Sequence, residues 1–138
     1  MMPYLKTYVV FISHAWRYHD DYERLENLLN NANLFSWRNC SVPRTDAFDK
    51  GLTNQQLLRA LDEQIRISNV VVMLSGMYAA HSDWMQTEIN IAARYGKPIV
   101  GVLPWGSDRV PIAVQQSASE IVKWNTQSIV DAIRKVVA

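Results

Sequence analysis

Val70-Val71-Val72-Met73-Leu74 is an unbroken apolar run rich in β-branched residues. A strand with one wet face alternates apolar and polar residues, whereas a continuous run suits a strand buried on both faces of a parallel sheet. Tyr8-Val9-Val10-Phe11-Ile12 and Ile99-Val100-Gly101-Val102-Leu103 have the same character. Leu34-Phe35-Ser36-Trp37-Arg38 reads as a second strand, more amphipathic and nearer an edge, and Ile121-Val122-Lys123-Trp124 as a short fifth.

Helical spacings fill the intervals. Tyr22, Leu25, Leu28, Leu29 and Ala32 follow Asp20. Leu57, Leu58, Leu61 and Ile65 share a face, with Arg59, Asp62, Glu63 and Arg66 mostly outward. A helix is expected over 84–95, stopped by Gly96-Lys97-Pro98. A short helix fits within 111–118, and Ile129, Ile133, Val136 and Val137 mark a closing helix over 128–137. Strand and helix alternate to the end. That pattern predicts an α/β, flavodoxin-like three-layer sandwich: a five-stranded parallel sheet of order 2-1-3-4-5 with helices on both faces. One domain spanning 1–138, with its core over about 7–137, is expected.

Sheets of this kind bind ligands beyond the carboxyl ends of the strands, near the switch point between the first and third. Ser13 and His14, the unpatterned loop 39–51 and the loop 75–83 all reach that edge. So does Ser82-Asp83-Trp84-Met85-Gln86-Thr87-Glu88-Ile89, read as a helix start with Ser82 or Asp83 as N-cap. At about 100° per residue Trp84, Met85, Glu88, Ile89 and Ala92 share one arc, and Gln86, Thr87, Asn90 and Arg94 form the solvent face. Glu88 therefore lies on the apolar stripe, one turn from Trp84. A core-facing carboxylate is costly unless it is paired or used. Two readings stand: a structural ion pair with an arginine such as Arg59 or Arg66, or the working residue of a site.

Composition narrows the chemistry. Fourteen basic and 13 acidic residues give a net charge of +1, so no basic field argues for nucleic acid. The longest apolar runs fall far short of the ~20 residues that span a bilayer, and no signal peptide is visible at the N-terminus. A single cysteine, Cys40, makes no internal disulfide and suits a reducing, cytoplasmic compartment; it reads as a small loop or edge hydrophobe. The five glycines form neither a dinucleotide-binding nor a Walker pattern. A phospho-acceptor receiver needs acidic residues where this chain has Ser13-His14 and Ser75. His14, His19 and His81 lack metal-ligand spacing, so no metal is expected.

Phe11-Ile12-Ser13-His14 after an opening strand resembles the first signature of Toll/interleukin-1 receptor (TIR) domains. Val71-Val72-Met73-Leu74-Ser75 resembles their third strand, and the 82–89 stretch resembles the tryptophan-to-glutamate motif of the members that cleave NAD+. Gly96-Lys97-Pro98-Ile99-Val100 looks like the lead-in to their fourth strand. Asn39-Cys40-Ser41-Val42-Pro43, followed by Asp46, looks more like the bacterial TIR-like group of Thoeris antiphage defence than like receptor TIRs. The likeness runs from about residue 7 onward. Two features depart from the pattern: His14, where many TIRs carry an aromatic or another polar residue, and the 39–51 loop, which lacks their acidic-glycine pattern.

The resemblance implies an NAD+-cleaving enzyme, with NAD+ as substrate and no cofactor. It implies Glu88 as the catalytic residue, and Ser13, His14, Trp84 and Asp46 at the substrate. It further implies a product derived from ADP-ribose, hydrolysed, cyclic or conjugated, read by a separate effector protein. The chain carries no evident sensor, so a phage-derived trigger or self-association is left to other molecules and surfaces. Two rival readings remain. One is a non-catalytic TIR-like module for protein–protein interaction, with Glu88 a buried structural anion. The other is a deoxyribosyltransferase-type nucleoside enzyme, which also uses a lone glutamate at such an edge.

Overall fold

The computed structural model describes residues 6–13, 20–40, 54–74, 78–103 and 112–137. Five parallel strands form one sheet of order β2-β1-β3-β4-β5: β1 (Thr7–Ile12), β2 (Ser36–Asn39), β3 (Val70–Leu74), β4 (Ile99–Leu103) and β5 (Glu120–Lys123). The helices are α1 (Asp20–Asn30), α2 (Asn54–Ile67), α3 (Tyr78–Arg94), α4 (Ile112–Ser117) and α5 (Thr126–Val137). The order is the one the apolar runs predict. α1 packs with α5, and α2 with α3, the arrangement right-handed crossovers impose on a sheet entered at β1.

The three continuous apolar strands lie in the middle. Phe11 stands opposite Val71, and Val72 opposite Val100, so β3 is paired along both edges. Val10, Phe11, Ile12, Val70, Val71, Val72 and Met73 are fully buried. Asn69 fixes the register at the start of β3. Its side-chain oxygen accepts from Val9 N–H at 2.8 Å while its own N–H donates to Val9 O at 2.7 Å.

The weaker elements shift from their sequence-based bounds. β2 begins at Ser36, not Leu34, because Leu34 adopts a left-handed φ of 55° and is 62% exposed. Its carbonyl accepts from the Arg134 guanidinium of α5 at 2.6 Å, and Arg134 also lies 5.7 Å over the Phe35 ring, which stacks on Tyr8. α5 starts at Thr126, two residues early, because Asn125 is its N-cap: the side-chain oxygen accepts from Ser128 N–H at 3.0 Å. Leu58 of α2, expected on the buried face, is 40% exposed; Leu61 and Ile65 carry the packing.

α3 differs most. It begins at Tyr78, so Ser82 and Asp83 lie inside the helix and neither is its N-cap. Tyr78-Ala79-Ala80 precedes them, and alanine is the strongest helix former. Its other end follows expectation. Gly96, at φ 65°, closes a Schellman motif in which Lys97 N–H donates to Ala92 O at 2.8 Å and Gly96 N–H to Ala93 O at 3.2 Å. Gly96→Ala adds a Cβ that meets nothing within 4 Å. Its penalty is therefore conformational, about 1 kcal/mol, and should appear as a melting point lowered by a few degrees.

Candidate functional site

The site begins where β1 ends. Ser13 follows the last residue of β1, and its N–H continues the ladder by donating to Val72 O at 3.0 Å. This is the switch point, since the chain leaves β1 towards β2 on one side and returns to β3 on the other. Across from it stands α3. Met85, Ile89 and Ala92 are buried, Gln86, Asn90 and Arg94 are exposed, and Glu88 is completely buried. The helical phase read from the sequence holds, although Glu88 sits on the third turn of the longer helix.

Ser13 and Glu88 meet there. The Ser13 hydroxyl donates a short hydrogen bond to Glu88 Oε1, and both side chains are fully buried. With Ser68 they are the buried polar residues among those described. Ser68 has a plain structural role: its hydroxyl donates to Ile65 O at 2.7 Å and closes the end of α2. Glu88 has none so evident. Of the two arginines that the sequence offers as its partner, Arg66 is engaged elsewhere: it pairs with Glu63 on the exposed face of α2.

His14 and Asp46 lie outside the described residues, as does the loop 41–53. Trp84 is on α3 one turn before Glu88, but its side chain is also outside them. Of the site residues expected from sequence, the structure brings together Ser13 and Glu88, 75 positions apart. Asn39, expected to open the loop, is instead the last residue of β2. Its side chain donates to Glu26 Oε2 of α1 at 2.8 Å, tying the β2 end of this edge. Nothing in the local sequence pointed to that pair, whose members face each other through the α1–β2 packing.

Cys40 is buried immediately after β2, with its thiol 3.5 Å from Gln64 O. Burial pushes the thiol up from 9.0 to about 11. At pH 8 the native thiolate is then scarcer than the unfolded one by about 100-fold, and alkylation by iodoacetamide should be slower by at least that factor. Because the folded pKa is the higher, this group's contribution to stability is present below pH 9 and is lost between about pH 9 and 11. Among the described residues no cluster of His, Cys, Asp or Glu is arranged to hold a metal, and no helix is long and apolar enough to cross a membrane.

Sheet order, switch point and buried carboxylate define an α/β domain of flavodoxin-like topology with a candidate ligand site at the β1–β3 edge. Residues 11–109 match the family described as Thoeris protein ThsB, TIR-like domain, and the chain belongs to that family. Two solved structures share the fold. A Clostridium botulinum CMP N-glycosidase, BcmB, is 14% identical, with TM-score 0.58 over 92% of this chain and 98% of its own. A prokaryotic SEFIR domain is 15% identical, with TM-score 0.52 over 94% of this chain and 96% of its own. No curated protein matches.

Proposed function

We propose that this protein cleaves the N-glycosidic bond of NAD+, with Glu88 as the catalytic carboxylate, and releases an ADP-ribose-derived signal in antiphage defence. The observation that carries the reading is a fully buried glutamate, joined to Ser13 at the switch point of a ThsB-family TIR-like domain. The fold shared with a CMP N-glycosidase supports the class of bond broken.

The chemistry suits one carboxylate. Most glycosidases need a general acid because an alkoxide leaves poorly. In NAD+ the leaving group is a pyridinium. When its C1′–N bond breaks, the electron pair returns to the ring nitrogen and nicotinamide departs neutral, with no proton required. The site has only to favour the positive charge growing on the ribose ring, or to hold the ribose hydroxyls. An ionised glutamate shielded from water does this far better than one in bulk solvent. Capture of the ribosyl cation by water, by another part of the same molecule or by a second nucleophile sets the product. His14, Trp84 and Asp46 are the proposed substrate contacts, Trp84 stacking on or shielding a flat ring. A cytoplasmic location, a separate effector that reads the product, and a phage-derived trigger or self-association belong to the same proposal.

The test offers NAD+ and CMP in parallel to the protein and to Glu88→Gln, and resolves the released base by chromatography. Nicotinamide from NAD+, absent with Glu88→Gln, is expected. Cytosine from CMP without nicotinamide would make the protein a nucleotide N-glycosidase of another specificity. Neither base, even with phage-infected lysate added as a trigger, would favour the interaction module.

A further inference from the structure

We infer that Ser13, rather than contacting substrate, is a positioning residue that holds the Glu88 carboxylate in its working orientation; the inference rests on the NAD+-cleaving reading of the site. Two observations carry it. The Ser13 hydroxyl has one proton, and it is given to Glu88 Oε1. The side chain is fully buried, and its backbone is locked into the ladder through the bond from its N–H to Val72 O at 3.0 Å.

A glutamate has three side-chain torsions, and apolar packing alone fixes the far one poorly. A donor from the rigid end of β1 removes that freedom. It sets one carboxylate oxygen against the sheet and thereby defines where the other can go. The ionised form is the one that stabilises a developing cation. Ser13 thus acts on the reaction through Glu88, and the sheet itself becomes the reference frame for the carboxylate.

Steady-state NAD+ cleavage by the full chain tests this, comparing wild type, Ser13→Ala and Glu88→Gln, with melting curves as the check on folding. The expected result for Ser13→Ala is a kcat lowered by about 10- to 100-fold, the worth of a hydrogen bond to a charged group, with KM changed by less than about twofold. In the inactive Glu88→Gln background, adding Ser13→Ala should leave the Kd for NAD+ unchanged by calorimetry. Should Ser13→Ala not fold, Ser13→Cys carries the same test, being close in size but a weak donor. A raised KM with kcat kept would show a substrate contact and overturn the inference alone. So would a Kd weakened in the Glu88→Gln background, or kcat and KM both unaltered. Wild type that releases no nicotinamide under the triggered conditions overturns the catalytic reading, and the positioning role with it.

Discussion

Glu88→Gln is expected to reduce NAD+ turnover by about 1000-fold or more while leaving the fold at least as stable as before. The two halves of that result belong together. Glutamine keeps the size of glutamate and an oxygen that accepts from Ser13, so the packing and the hydrogen bond recorded at Oε1 survive. On the catalytic reading, what disappears is a charge held in a fully buried position, whose desolvation costs several kcal/mol. Retaining such a charge for function trades stability for activity, and its removal should leave the melting temperature level or raise it by a few degrees. A glutamate serving as a structural anion predicts the opposite. Removing one member of a buried pair costs about 3–5 kcal/mol, because the other charge is left uncompensated. Calorimetric melting of the two proteins, beside the turnover assay, separates the readings by the sign of the shift.

Phe11→Ala should cost about 3–5 kcal/mol of stability. Phe11 is fully buried in β1, which pairs with both β2 and β3, and the ring stands opposite Val71 in the register. Deleting it opens a cavity in the core on one face of the sheet, where close-packed neighbours relax only in part. Against a total stability of about 5–15 kcal/mol, this leaves little. The midpoint of urea unfolding should fall sharply with the slope unchanged. Leu58→Ala is the control: the residue is 40% exposed, and its loss should stay below about 1 kcal/mol.

The sequence was most legible where burial was complete. β3 and β4 lie where their apolar runs stand, because a strand covered on both faces leaves no polar residue to confuse the reading. The edge strands drifted by one or two residues, since their bounds depend on partners far away in the chain. Leu34 turns left-handed at the point where Arg134, 100 residues later, takes its carbonyl. Propensity misplaced the start of α3: Ser82 and Asp83 look like caps, yet the alanines before them carry the helix further back. Helical phase alone found the buried carboxylate. It did not find the partner, because the Ser13–Glu88 bond spans 75 residues and exists only once β1 and α3 meet. The sequence offered Ser13 as a substrate contact for the same reason that makes it a neighbour of Glu88: both stand at the switch point.

The proposed reaction is cleavage of the nicotinamide–ribose bond by the buried Glu88 of this ThsB-family domain. Chromatography of NAD+ incubated with the purified protein, with and without lysate of phage-infected cells, tests it most directly. Nicotinamide should accumulate in step with NAD+ loss for wild type and stay at background for Glu88→Gln. Equal release by the two proteins would contradict the assignment of Glu88, and intact NAD+ in every arm would contradict the activity itself.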